Sequence, residues 1–209
     1  MQSLQTFLAE NNLSLLDLGG TLVGLFYIYY QFRASWKLWV ASLVMSIFYI
    51  ILNLQGELYA LTGIYAYYSC AAIYGLWQWR IKGVDEGEQE ISISHIPLRL
   101  YPKIFATIAA LTLILAGILT FLHEEEDAGA LKLWADAFTA ATSIVSMWLL
   151  AKKYCEQWLF WFVVDGVNCA LYIYLGPQYL FSSCLFGFYA LTCFVGYPYW
   201  LKQIPQKDA

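Results

Sequence analysis

Charge is what this chain has least of. Asp, Glu, Lys and Arg make up 12% of its 209 residues, against roughly 25% in an ordinary soluble domain. Hydrophobic residues make up 61%, which excludes a water-soluble globule and puts the chain in lipid. Histidine is scarce as well. His95 and His123 sit near polar stretches and are read as making no metal cluster. The five cysteines, Cys70, Cys155, Cys169, Cys184 and Cys193, show no paired spacing. They are read as small core residues rather than as disulfides or metal ligands. There is no HExxH, no P-loop, no CxxC and no nucleophile–base pair in a motif context. The expectation is therefore not an enzyme, with no cofactor and no metal. Basic residues are confined to short clusters such as Lys152–Lys153, which suit orientation in a membrane and not nucleic acid. MQSLQTFLAENN lacks the basic start and long apolar run of a cleavable leader, so the first span is expected to act as its own signal.

What is present is apolar length and aromatic rings. Seven segments approach the ~20 residues that a bilayer needs: Leu15–Phe32, Trp36–Leu54, Leu58–Arg80, Tyr101–Leu122, Ala130–Leu150, Gln157–Leu175 and Tyr179–Leu201. The expected fold is an all-α membrane protein of seven transmembrane helices. If the spans alternate sides, one side receives Arg33, Lys37, Arg80, Lys82, Arg99, Lys103, Lys152, Lys153, Lys202 and Lys207, and the other Lys132 alone. The bias places the N-terminus outside and the C-terminus in the cytoplasm. Six or eight spans would mix these charges.

The chain also repeats itself. A shift of 119 positions lays Asp17 on Asp136 and Trp39 on Trp158. A shift of 121 then lays Tyr68 on Tyr189, Gly75 on Gly196 and Trp79 on Trp200. The reading is one membrane domain with two parallel three-helix repeats, 15–82 and 130–203, joined by a linking helix at 101–122 after a cytoplasmic loop at 83–100. Parallel repeats are a transporter plan with the substrate at the repeat interface.

The stretch WLFWFVVDGVN, residues 158–168, places a carboxylate inside an apolar helix, a position that costs at least ~2.5–3.5 kcal/mol. Trp158, Trp161, Asp165, Asn168 and Tyr172 are spaced to fall within an arc of roughly 80° on one helix face. The matching residues of the first repeat are Trp39, Ser42, Ser46, Tyr49 and Asn53. Two such stripes facing each other, with Tyr68 and Tyr189, would line a wet cavity. Stacked indoles favour a flat cationic ring, and a carboxylate favours a cation or an amino group beside a ring nitrogen. Other readings stand beside this one. Trp158 suits an interface anchor, and Asp165 suits pairing with a Tyr or Ser of another helix. Asn53 and Asn168 suit helix-to-helix hydrogen bonds. Asp17 and Asp136 read as helix N-caps, Gly19, Gly20 and Gly24 as close-packing positions, and HEEED at 123–127 as a solvated outer loop.

DAFTAATSIVSMWLLAKKYCEQWLFW, residues 136–161, and YGLWQW, residues 74–79, resemble the Pnu family of bacterial vitamin transporters, which includes PnuC-type nicotinamide riboside and PnuT-type thiamine transporters. The likeness runs along nearly the whole chain in a 3 + 1 + 3 arrangement related to SWEET sugar transporters. Its motif is the WxxW of Trp158 and Trp161 with its lead-in Lys152, Lys153, Tyr154 and Glu156. The resemblance implies facilitated diffusion with alternating access across the bacterial plasma membrane, trapping by a cytoplasmic vitamin kinase, a homotrimer, and a vitamin lying near Trp158 and Trp161. Nicotinamide riboside members tend to carry Asn where this chain has Asp165, and a carboxylate suits thiamine. Thiamine is therefore the expected substrate, with nicotinamide riboside, or riboflavin, as the alternative of the same class. A vitamin receptor that transports nothing, and a purely structural membrane protein, are the readings from other classes.

Overall fold

The computed structural model describes residues 23, 26–55, 59–81, 92–122, 129–176 and 180–205. Helical residues 26–32 form α1, followed by α2 (Lys37–Gln55), α3 (Tyr59–Leu76), α4 (Tyr101–Leu122), α5 (Ala130–Ala151), α6 (Gln157–Leu175) and α7 (Leu180–Leu201). A π-helical turn, Trp77–Ile81, extends α3, and a 3-10 turn, Leu98–Leu100, leads into α4. Among the described residues the chain is all-α, with one isolated bridge between Ser94 and Tyr154. Four helical segments are long and apolar enough to cross a bilayer, Leu98–Phe121, Ala130–Ala151, Gln157–Leu175 and Ser183–Leu201. They coincide with the last four spans read from the sequence. Most of the expected first span, with Asp17, Gly19, Gly20 and Gly24, lies outside the described residues, as do His123 and the rest of HEEED.

The chain divides into two compact units, 1–90 and 91–209. In the second, α5 is the central helix and both α4 and α6 pack on it. Small side chains allow that approach, with Ala137, Ala141, Ser143 and Ser146 all buried. Its hydroxyls bond back one turn rather than burying an unsatisfied group. Thr139 donates to the Ala135 carbonyl at 2.9 Å, Thr142 to Phe138 at 2.8 Å and Ser146 to Thr142 at 2.7 Å. Ile104 and Ile108 of α4 meet Val145 and Leu149 of α5, with Ile96 completing the cluster. The helix expected to link two repeats thus packs, within this unit, on α5. Asp136 does not cap its helix: α5 begins at Ala130 after Gly129, which puts Asp136 in the second turn.

Two chain corners have the same construction. After α1, Ala34 N–H donates to the Gln31 carbonyl at 3.0 Å and Ser35 N–H to Tyr30 at 3.0 Å. After α5, Lys153 N–H donates to Leu150 at 2.9 Å and Tyr154 N–H to Leu149 at 3.1 Å. Each is a Schellman closure, which needs a left-handed residue at the position after the cap. Here that residue is not glycine. Ala34 has φ 47° and Lys153 has φ 55°. The two positions are 119 apart, the same shift that lays Trp39 on Trp158.

The polar stretch before α4, expected to be a loop, docks at its C-terminal end. Ser94 N–H donates to the Lys153 carbonyl at 3.2 Å, and Cys155 N–H donates to the Ser94 carbonyl at 3.0 Å. Glu156 is the N-cap residue of α6, but its side chain does not cap that helix. Its carboxylate accepts the Ile96 N–H at 2.9 Å and lies 2.6 Å from His95 Nδ1. His95, read from the sequence as standing apart, therefore meets two other ligand-type side chains, Glu156 and Cys155. The turn that follows α5 brings together residues that are some sixty positions apart in the chain.

Candidate functional site

The stripe on α6 has a fully packed end at Trp158, and the residues beyond it are partly or nearly buried. Trp158 is 2% exposed, and Trp200 of α7 meets its ring edge to face at 5.9 Å and 89°. Its indole lies flat over Gly196, where a Cβ would fall 2.6 Å from the ring. Trp158 therefore serves as a wedge between α6 and α7.

One turn deeper the surroundings change. The Nε1 of Trp161 is buried and has no hydrogen-bond partner among the described residues. A buried indole N–H without an acceptor costs about 1–3 kcal/mol, which makes it a donor available to a ligand. Asp165 follows on the same face and is 8% exposed. Asn168 and Tyr172 are half-buried. Tyr172 stacks on Phe186 of α7 at 5.5 Å and 17°, and Tyr189 meets Phe186 edge to face at 6.4 Å and 89°. An indole donor, a carboxylate, an amide and a stacked aromatic shelf thus follow one another along a single helix face. Such a row suits a flat, positively charged ring that carries hydroxyl or amide groups.

The first unit builds a related row on α2 and α3. Trp39 is fully buried, and Trp79 meets it edge to face at 5.4 Å and 86°. Its ring covers Gly75, where a Cβ would overlap the indole. Tyr49 stacks on Tyr65 at 4.7 Å and 12°, and Tyr68 meets Tyr65 edge to face at 5.9 Å and 73°. Ser46 is 1% exposed and donates to the Ser42 carbonyl at 2.8 Å. Its proton is committed to its own helix, so this hydroxyl offers a ligand only its lone pairs. The side chain of Asn53 lies outside the described residues.

Two shelf residues were not picked out in the sequence, Tyr65 and Phe186. The signal was available, because Tyr65 falls on Phe186 at the shift of 121 that pairs Tyr68 with Tyr189. The centre of each shelf is thus an aromatic ring carried by the later helix of its pair.

Comparison with known proteins gives a family and a fold. A family described as "Nicotinamide mononucleotide transporter" matches residues 14–202. The chain is 24% identical over 188 residues to the nicotinamide riboside transporter PnuC of Escherichia coli (strain K12), covering 79% of this chain and 77% of that protein. It is 25% identical over 189 residues to the riboflavin/roseoflavin transporter RibM of Streptomyces davaonensis, covering 90% and 85%. The crystal structure of a vitamin B3 transporter PnuC superposes with a TM-score of 0.68 at 19% identity, over 96% of this chain and 86% of that one, which shows a shared fold.

Proposed function

Since this chain belongs to the nicotinamide mononucleotide transporter family, we propose that it carries nicotinamide riboside, or a closely similar ribosylated pyridinium vitamin, across the bacterial plasma membrane. It is a multi-pass membrane protein of a transporter family and not an enzyme. The Pnu resemblance read in the sequence is borne out at the level of the family. Thiamine moves to second place, because the relatives named above are described as carriers of nicotinamide riboside and of riboflavin.

The observation that carries the reading is the pairing of Trp161 and Asp165 on one face of α6. The indole offers a buried donor without a partner. One turn along, a nearly buried carboxylate offers the complementary negative charge. A pyridinium cation lowers the cost of that carboxylate, and the ribose hydroxyls can donate to it. Asn168, with its amide, matches a carboxamide. Tyr172 and Tyr189 flank the aromatic shelf, while Tyr49 and Tyr68 hold the corresponding shelf of the first unit. Asn53 and Ser46 complete the set by repeat equivalence. Trp158 acts one step back, by fixing α6 against α7. Thiamine is kept as the second reading because Asp165, rather than an amide, stands at this position.

Transport by facilitated diffusion with alternating access needs no bound ion, and a cytoplasmic kinase would trap the product. The positive-inside bias supports a C-terminus in the cytoplasm, and a homotrimer belongs to the same reading. The test is calorimetric binding to the detergent-purified protein with nicotinamide riboside, its mononucleotide, thiamine and riboflavin in parallel, followed by uptake into liposomes loaded with the matching kinase. Preference for the riboside with kinase-dependent accumulation supports the proposal. Preference for thiamine overturns the substrate. Binding without accumulation returns the receptor reading, and uptake driven uphill by a pH gradient rejects uniport.

A further inference from the structure

We propose that His95, Cys155 and Glu156 form a binding site for a divalent zinc-class metal ion, which fastens the segment before α4 to the start of α6. Their ligand atoms come from two places in the chain and all lie within 4.8 Å of one another. Cys155 Sγ is 3.4 Å from His95 Nδ1, which in turn is 2.6 Å from Glu156 Oε1. Zinc bonds of about 2.0–2.3 Å at a tetrahedral angle hold donor atoms about 3.3–3.6 Å apart. The sulfur–nitrogen pair already stands at that separation. The nitrogen–oxygen pair is closer, at hydrogen-bond length, and needs to open by roughly 0.7 Å to admit the ion.

The surroundings suit this set. Thiolate, imidazole and carboxylate together select zinc-class ions over calcium or magnesium. Glu156 Oε2 is held by the Ile96 N–H at 2.9 Å, which orients the carboxylate and leaves Oε1 to face the other two ligands. The Ser94–Tyr154 bridge fixes the backbone on either side. Cys155 and Glu156 are buried, whereas His95 is exposed and gives solvent access on one side. Three protein ligands leave a fourth tetrahedral position for water. Without an ion, burial and then the charge of Glu156 push the Cys155 thiol up to about 12. A bound cation offsets that charge and releases the thiol proton on binding. The plainer reading is a hydrogen-bonded clip with no metal, and the experiment separates the two.

Full-length protein in detergent, stripped with a chelator, is titrated with zinc and, separately, with cobalt. The expected result is one zinc per chain retained through gel filtration, a raised melting temperature, and a thiolate-to-cobalt charge-transfer band. H95A is expected to lose the retained zinc while keeping its fold, because His95 is exposed. C155S is expected to lose the cobalt band, whereas H123A keeps both signals. No retained zinc in the wild type, no thiolate band, or zinc lost with H123A but kept in H95A each overturns the site and leaves the clip. None of these outcomes depends on which vitamin is carried.

Discussion

The indole of Trp158 lies over Gly196 so closely that a Cβ there would come within 2.6 Å of its ring. The first unit repeats the relationship with Trp39 over Gly75. Adding one methyl group at Gly196 forces the indole and its neighbour Trp200 to shift, and overpacking of this kind costs about 1–3 kcal/mol. Gly196→Ala is expected to lower the melting temperature in detergent by several degrees, and Trp158→Phe in the same chain to restore part of it. Gly117→Ala on α4, where nothing lies within 4 Å, is the contrast and is expected to leave stability unchanged or slightly raised.

Asp165 and Trp161 are expected to separate affinity from stability. A hydrogen bond to a charged group contributes about 1.5–3 kcal/mol, or about 10- to 100-fold in affinity. Asp165→Asn is expected to weaken binding of the cationic vitamin by that order, with no loss of melting temperature, because an amide of the same shape replaces a nearly buried carboxyl group. Trp161→Phe keeps the ring and deletes only a donor without a protein partner, so affinity falls and stability holds. Calorimetry and thermal unfolding on the same samples check both. A parallel fall in stability would make the two residues packing elements.

Ala34 adopts φ 47° without being glycine, a strain of about 1–2 kcal/mol for a residue with a Cβ. Ala34→Gly is expected to raise stability by about 0.5–1 kcal/mol, since the added freedom of the unfolded chain offsets part of the relief. Thermal unfolding in detergent measures this directly. A fall would mean that the Ala34 methyl group packs better than its backbone suffers.

Cys155 is expected to resist alkylation at neutral pH. Its thiol sits at about 12 in the folded chain against 9.0 for a free thiol, through burial first and Glu156 second. The folded state therefore keeps a proton that the unfolded state loses, so this contribution to stability is complete below about pH 9 and falls as pH rises towards 12. Thiol labelling of metal-free protein between pH 7 and 11, resolved by peptide, should leave Cys155 unmodified until the upper end of that range.

The helices could be read in the sequence because bilayer-length apolar runs leave few alternatives. The last four observed spans lie within a few residues of those read. The two matching ring contacts, Trp39/Trp79 and Trp158/Trp200, were marked in the sequence because they are made by large residues at corresponding spacings. The division of labour along α6 could not be read. Helical spacing puts Trp158 and Trp161 on one face, but only Gly196 and Trp200 on the neighbouring helix decide that the first is packed. Tyr65 and Phe186 were missed for a related reason, because a stack needs two helices. Asp136 was misread as a cap because the helix starts before the polar residue that drew attention. The meeting of His95 with Cys155 and Glu156 depends on a non-local bridge that no spacing encodes.

The bridge from Ser94 to the corner after α5 also says where this polypeptide can be interrupted. Residues 92–100 are fastened to 153–156 by backbone and carboxylate bonds and so belong, with α4, to the second unit. The wedge and shelf of the first unit lie before residue 82, and those of the second lie after residue 91. Two separately expressed pieces, ending at Ile81 and starting at Ser92, would each carry their own indole-on-glycine wedge and aromatic shelf.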